Sequence, residues 1–487
     1  PTCNNGRPRK SVLDELPMTL SSDQAVAALV SILGEDSVVP PGGSMDTYTS
    51  EPRRRFTKQA HAVALPRTVA EVQAVMEWAH ETGVHIIPQA GNTGLVGGQV
   101  PIFGDEVILS VSRLRGTRNV DAAAGHLTVD AGVTLEEVHG IADEAGMLFP
   151  LYLASQGSAR VGGILAANAG GVQVLSYGNA RELCLGVEAV LADGSLYRGL
   201  NALKKDNTGY DLKDLIVGSE GTLAIITAAT LKLFPRPEAH ETAFLNVPSP
   251  EAALELFTRV RARAGNGLTA FEIIPRIGIE FQLAHGELSQ DPAVEPSDWH
   301  VLAEISIPKG TEPGILADML EEAFEAGIVT NGAIAESLRQ RQEMWMAREQ
   351  ISDVQLREGA SIKHDVSVPV AAVPELIARG IEAVKAVSPG IRPVPFGHLG
   401  DGNIHFNFSQ PKGVDPKAFM DSAEPIHDAL YEIVLDLGGS VSAEHGIGQL
   451  KTHLLKRVKD PVALQMMKSI KSALDPKGIL NPGKLLG

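Results

Sequence analysis

Two short stretches hold most of the side chains able to bind a metal or move a proton. The first is Phe396 to Phe408, Phe-Gly-His-Leu-Gly-Asp-Gly-Asn-Ile-His-Phe-Asn-Phe, and the second is Ser442 to Gly448, Ser-Ala-Glu-His-Gly-Ile-Gly. Residues 402 to 408 alternate as a strand does, so His405 and Asn407 fall on one side of a sheet. His398 comes just before that strand, in a turn that Gly397, Gly400 and Gly402 leave free to bend sharply. Two imidazoles and the Glu444 carboxylate form a three-ligand set for a divalent ion with an open position. A lone histidine is more often a hydrogen-bonded core residue. Two histidines and a Glu-His pair, all in glycine-rich turns, favour the ligand reading. Spacing alone does not bring 398 and 405 to 444 and 445.

The elements that must position these groups come from a chain of 487 residues, too long for one compact core, so two or three domains are expected. No run of about 20 apolar residues is present, which argues against a membrane span. The net charge of -17 argues against nucleic acid as a partner and requires local basic residues for any anionic substrate. Cys3 and Cys184 form no metal or redox motif, which suits a reducing compartment. The first ten residues are basic but no apolar segment follows, so a secretory signal is not expected; a cloning remnant and the stub of a transit peptide both stay open.

A short helix is expected near Gln24 to Leu33. Thr68 with Glu71, and Thr134 with Glu137, read as capping boxes opening two further helices, the first ended by Gly83. Strands are expected at Val84 to Pro88, Val107 to Val111 and Leu127 to Ala131, with Asp193-Gly194 as a hairpin turn. Pro235 and Pro237 mark a boundary. Beyond it, Ser249-Pro250-Glu251 opens a helix, and Val301 to Ile307 and Asn403 to Phe408 read as strands. The mixture reads as α+β.

Neither G-x-x-x-x-G-K-[ST] nor G-x-G-x-x-G occurs, which disfavours P-loop and Rossmann sites. Instead, four glycines in eight positions follow the strand ending at Pro88, in Gln89-Ala-Gly-Asn-Thr-Gly-Leu-Val-Gly-Gly. Such a loop exposes successive N–H groups to a phosphate. Similar tracts are Gln156-Gly-Ser-Ala-Arg-Val-Gly-Gly, running on to Asn168-Ala-Gly-Gly, and Gly218-Ser-Glu-Gly-Thr-Leu. One such loop is usually a turn; three in one domain fit a long ligand bearing a diphosphate.

On these motifs, residues 65 to 235 resemble the flavin domain of the vanillyl-alcohol oxidase and p-cresol methylhydroxylase (PCMH) type. Residues 396 to 408 and 442 to 448 look like the C-terminal domain of FAD-linked D-2-hydroxy-acid dehydrogenases, with Asp475-Pro-Lys-Gly-Ile-Leu-Asn-Pro-Gly-Lys as the closing segment. The resemblance implies a two-domain α+β flavoprotein. It places an FAD-binding domain at 1–237, a substrate (cap) domain with an antiparallel sheet at 238–465, and a C-terminal segment at 466–487 returning to the first domain. FAD contacts are expected from Pro88, Gln89, Ala90, Gly91, Asn92, Thr93, Gly94 and Leu95. Others are expected from Gly157, Ser158, Gly162, Gly163, Asn168, Gly170 and Gly171, and from Glu220, Gly221, Ile225, Ile226 and Asn481. The first glycine loop holds no histidine, so the flavin is expected to be non-covalent.

The same resemblance makes His398, His405 and Glu444 metal ligands, zinc first, Asn407 a substrate contact and His445 the catalytic base. Arg348, Ser352 and Lys363 match positions that hold the far carboxylate in the D-2-hydroxyglutarate branch, whereas the lactate and glycolate branch tends to lack that lysine. Spacing adds that Arg348 and Ser352 lie one helical turn apart. The implied reaction is oxidation of D-2-hydroxyglutarate, with D-malate secondary, by hydride transfer from C2 to flavin N5. Alternatives are a D-lactate or glycolate dehydrogenase, or a flavin subunit of a larger electron-transfer complex. Electron-transfer flavoprotein or a quinone is the expected acceptor, a homodimer the expected assembly, and the cytoplasm (bacterial) or mitochondrial matrix (eukaryotic) the expected location.

Overall fold

The computed structural model describes residues 20–293 and 295–487; the basic first residues and Cys3 lie outside them. The helix read near Gln24 is Ser22–Leu33, opened by a Ser21–Gln24 capping box. Thr134 and Glu137 make the full box ahead of Leu135–Glu144. The Thr68 box is half made. Thr68 accepts the Glu71 N–H, but the Glu71 carboxylate takes the N–H of Arg67 instead of that of Thr68. Gly83 ends Val69–Thr82 in the left-handed conformation, φ 77°.

These helices pack on two sheets. In one, Val107–Ser110 runs parallel between Ala62–Ala64 and Ile86–Gln89. The other is a five-stranded antiparallel sheet in the order Thr117–Asp121, His126–Asp130, Ile225–Lys232, Cys184–Val190, Leu196–Gly199. Their common core also takes in Ile479 and Leu480, and the Asn481 N–H donates to the Ile86 carbonyl at 2.8 Å.

The second unit is built on an eight-stranded sheet, along which Ala239–Val247, Trp299–Ile307, Leu268–Pro275, Arg392–His398 and Asn403–Ser409 are successive antiparallel neighbours. Alternation decides its two faces. Ile404, Phe406 and Phe408 join a core with the helices Pro250–Ala264, Val373–Val387 and Ala423–Asp436. Val394, Phe396 and Ile274 join the opposite core with Arg276–Ala284 and Leu338–Glu349. His405 and Asn407 therefore share the second face, as the alternation predicts. His398 differs from the sequence reading. It is the last residue of Arg392–His398 and pairs with Asn403. Pro393 and Pro395 fit this strand because Leu268–Pro275 pairs with it only at Gly397 and His398, so no N–H is needed at the prolines.

Candidate active site at the junction of the two units

The hairpin 398–403 and the loop 442–448 do meet. One ligand atom from each of His398, His405 and Glu444 lies within 4.8 Å of the others. Glu444 Oε1 is 3.8 Å from His398 Nε2, and Oε2 is 3.9 Å from His405 Nε2. Glu272, on the neighbouring strand, takes His398 Nδ1–H at 2.8 Å, which turns Nε2 toward the cluster. That carboxylate–histidine arrangement is the one that fixes the tautomer of a metal-binding imidazole. Burial would hold His398 neutral, but the Glu272 charge outweighs it and raises the imidazole to about 9. Burial lowers His405 and raises Glu444. Two imidazoles and a carboxylate, oriented from behind and clustered this closely, fit a divalent ion.

Glu444 and His445 are held by an aspartate. Asp365, buried just ahead of the short strand Val366–Ser367, accepts both of their N–H groups at 2.9 Å and lies 3.3 Å from His445 Nδ1. Asn403 Nδ2 donates to its other oxygen at 3.0 Å. The two histidines and lysine nearby hold the Asp365 carboxyl well below the usual range despite its burial, so it is an anion. Burial lowers His445, leaving a neutral imidazole whose Nδ1 faces that anion and whose Nε2 is available. From the other side, the half-buried carboxylate of Glu220 takes the N–H of Ile447 at 2.8 Å and of Gly448 at 2.6 Å.

Glu444 and His445 also form part of the wall of a cavity of about 570 Å³ that runs through the first unit. Every residue from Pro88 to Leu95 lines it, as do Gly162, Gly163, Gly170, Glu220, Gly221, Ile225 and Ile226. The glycines are required where the walls touch: a Cβ on Gly91 would overlap the Ser158 carbonyl, and one on Gly163 would sit 3.1 Å from Ala90 Cβ. Asn92 Oδ1, in that wall, is buried with no partner among the described residues. A cavity of this size with glycine walls and an unspent polar atom fits a dinucleotide such as FAD.

Residues 236–485 match the C-terminal domain of FAD linked oxidases, and residues 60–199 match an FAD binding domain. The chain belongs to the FAD-linked oxidases. It is 38% identical to the mitochondrial D-2-hydroxyglutarate dehydrogenase of Bos taurus over 98% of this chain and 86% of the relative. It is 36% identical to the D-2-hydroxyglutarate dehydrogenase of Xanthomonas citri pv. viticola, over 96% and 97%. A putative mitochondrial D-lactate dehydrogenase of Schizosaccharomyces pombe is 33% identical over 95% and 90%. Among solved structures, p-cresol methylhydroxylase shares the fold with a TM-score of 0.74 at 17% identity, covering 95% of this chain and 96% of that one. The 4-ethylphenol oxidase of Gulosibacter chungangensis gives 0.73 at 19%, over 97% and 98%.

In this FAD-linked oxidase several residues stand apart from their expected places. Gly157, Ser158, Asn168 and Gly171 are not among the residues that line the cavity. Ser158 presses on Gly91, Asn168 Oδ1 takes the Arg181 N–H at 2.9 Å, and Gly171 abuts the Tyr152 carbonyl. Asn481 is buried, with Nδ2 bridging the carbonyls of Gly98 and Glu220 at 3.0 and 2.7 Å. The helical face expected to join Arg348 and Ser352 is interrupted at Gln350, between Leu338–Glu349 and Ile351–Val354. Arg348 is buried against Glu272 at 2.6 Å, with Nη2 3.5 Å from His398 Nε2. Lys363 Nζ donates to Ser352 O and Oγ, each at 2.7 Å. Asn407 is oriented through Nδ2, which donates to Gln355 Oε1 at 2.9 Å. Sequence reading missed Glu272, Asp365 and Arg160, a cation in the flavin wall that donates to the Gly132 carbonyl. A lone acid in the apolar run Leu268-Thr-Ala-Phe-Glu-Ile-Ile-Pro was a usable signal, since a buried charge needs a partner.

Proposed function

We infer that this chain oxidises D-2-hydroxyglutarate to 2-oxoglutarate, with D-malate as a secondary substrate. The observation that carries this is Glu444, which belongs to the ligand cluster and lines the flavin cavity, with His445 beside it in the same wall. It supports a hydroxy-acid site next to the flavin, whose N5 accepts the hydride. His398, His405 and Glu444 would hold a divalent ion, zinc first, which supplies acidification of the 2-hydroxyl and a counter-charge for the adjoining carboxylate. His445 is the base: it is neutral, oriented through Nδ1 by Asp365, and able to take the hydroxyl proton as hydride leaves C2. Arg348 adds a fixed positive charge beside His398, while Asn407 presents its amide to the same face. Lys363, tethered by Ser352, is the partner for the far carboxylate.

No histidine lies in the loop 88–99, which supports FAD held without a covalent link. With no second nucleotide signature in the chain, electron-transfer flavoprotein or a quinone is the proposed acceptor in place of NAD. A homodimer is proposed on the frequency of two-fold assemblies. Both bacterial and mitochondrial relatives exist, and no helix among the described residues is long and apolar enough to cross a membrane. The proposed location is the cytoplasm or the mitochondrial matrix accordingly.

The test is anaerobic flavin bleaching by D-2-hydroxyglutarate, D-malate, D-lactate and glycolate, with metal analysis of the same protein. Fastest bleaching by D-2-hydroxyglutarate is expected. Faster bleaching by D-lactate or glycolate would replace this reading with the one carried in the name of the S. pombe relative.

A further inference from the structure

One fully buried glutamine, Gln355, touches Asn407 at the reacting end without belonging to the ligand set or serving as the base. It follows the short helix Ile351–Val354. A primary amide loses its hydration on burial and is stable there only when its own donors and acceptor are met. Gln355 meets them on a single strand. Its Oε1 accepts from Asn407 Nδ2 at 2.9 Å, and its Nε2 donates to Ser409 Oγ at 3.0 Å. His405, Asn407 and Ser409 are alternate residues of Asn403–Ser409 and so form one row on one face. The row runs from a proposed metal ligand, through a proposed substrate contact, to an anchor. Gln355 bridges its last two members.

That bridge has a direction. A carboxamide reversed about its Cβ–Cγ bond keeps its shape but exchanges a donor for an acceptor. With Nδ2 held by Gln355, Asn407 turns Oδ1 away from it, and that oxygen takes no hydrogen bond among the described residues. Reversing Asn407 alone would set its Oδ1 against Gln355 Oε1, two acceptors facing each other. Gln355 is itself fixed in place. Ile351 and Val354 lie in a core with Ile274 and Phe396, and Ile351 packs against Gly278 of Arg276–Ala284. The same short helix carries Ser352, whose Oγ accepts from Lys363 Nζ at 2.7 Å. One anchored turn therefore orients both the amide and the lysine.

We propose that Gln355 is a positioning residue for the oxidation. It locks the Asn407 amide in one of its two orientations, so that Oδ1 and the second N–H of Nδ2 are set before the hydroxy acid enters. Ordering that group in the free protein removes a cost from binding. Gln355 acts through Asn407 and takes no part in the proton or hydride step. This inference rests on the reading of Asn407 as a substrate contact.

The experiment is a double-mutant cycle in FAD-loaded protein. It pairs Asn407→Ala with Gln355→Met, which keeps the length of the side chain and removes its hydrogen bonds. KM and kcat for D-2-hydroxyglutarate are measured alongside flavin content. Gln355→Met is expected to lower kcat/KM by about 5- to 20-fold, mainly through KM, and by less than about 2-fold where Asn407 is already alanine. Gln355→Glu keeps an acceptor for Asn407 Nδ2 and accepts the Ser409 hydroxyl, so it is expected to stay within about 3-fold of wild type. A purely structural glutamine gives equal losses in both backgrounds, and a buried glutamate worse than methionine. Either result overturns the proposal, as does an unchanged KM in Gln355→Met. Ser409→Ala decides the matter where the methionine variant loses flavin. It frees Gln355 Nε2 and should raise KM by about 2- to 5-fold only where Asn407 is present; an unchanged KM overturns the proposal. An Asn407→Ala protein as active as wild type removes the substrate-contact reading and this proposal with it. A wild type that does not turn over D-2-hydroxyglutarate sinks the functional reading itself.

Discussion

At the scale of single residues, Asp365 does the work that the rest of the reacting end relies on. One carboxylate oxygen receives two backbone N–H groups and faces the His445 ring, so an amide there would present a donor where two donors and an imidazole need an acceptor. Asp365→Asn is expected to slow flavin reduction by about 10- to 100-fold while FAD stays bound, the range found when an outer partner of a site histidine is removed. Single-turnover reduction at saturating substrate checks it, and an unchanged rate would show that His445 needs no such partner. Lys363 gives a pH test. Burial, then the Arg53 charge, brings its ammonium from 10.5 down to about 8. Below that pH it is charged and able to hold a carboxylate; as pH rises through about 8 the charge is lost. KM for D-2-hydroxyglutarate should therefore climb above about pH 8, while KM for D-2-hydroxyvalerate does not, and Lys363→Met should flatten the difference. The four residues His398, His405, Glu444 and His445 were legible because their types and glycine neighbours are rare together. Glu272 and Asp365 were not, since each acts only through a partner far away in sequence. The spacing of Arg348 and Ser352 says nothing of the break at Gln350 that lies between them.

At the scale of elements, the helix Leu338–Glu349 depends on two buried carboxylates. Arg341 and Arg348, seven positions apart and so on one face, meet Glu304 on Trp299–Ile307 and Glu272 on Leu268–Pro275. Glu304 also accepts from Trp345 Nε1 at 2.8 Å and Thr242 Oγ1 at 2.6 Å. Glu304→Ala leaves those donors buried without an acceptor. It should cost about 3 kcal/mol in urea unfolding, with flavin-reduction rates far less affected than by changes at Asp365. A loss under about 1 kcal/mol would mean the helix is held by its apolar contacts alone. The capped helices and the 193–194 hairpin were readable because local chemistry specifies them. The strand Leu268–Pro275 was not: all its residues are buried, and an apolar run without alternation does not distinguish strand from buried helix. Arg392–His398 was hidden by its prolines, which only the incomplete pairing of that strand explains. The helix Pro461–Leu474 carries an Asp460 cap and a proline in its first turn, both signals present in the sequence.

At the scale of the whole molecule, the two units are joined where the chemistry is, and Glu220 is the joint. Its carboxylate holds the loop bearing His445, while its carbonyl accepts Asn481 Nδ2 from the C-terminal segment. Two distant parts of the chain thus converge on a residue in the flavin wall, at φ 52°. Glu220→Gln exchanges one acceptor oxygen for a donor against a backbone N–H. It should lower the rate of flavin reduction by about 10-fold, with KM little changed, as expected when a base is misplaced and the substrate contacts are left intact. Removing the proposed metal tests the same junction from the other side. The ligand cluster touches the cavity through Glu444, and apart from His445 the rest of the cavity wall comes from the first unit. A chelator should therefore abolish reduction by D-2-hydroxyglutarate while the absorption spectrum of bound FAD persists, and zinc, manganese or cobalt should be assayed for recovery, since imidazole and carboxylate serve all three. If chelation released FAD, the two sites would be coupled more tightly than one shared residue explains. If activity survived complete metal removal, the 2-hydroxyl would have to be deprotonated by His445 and the Arg348 charge alone, and the ligand reading of His398, His405 and Glu444 would fall.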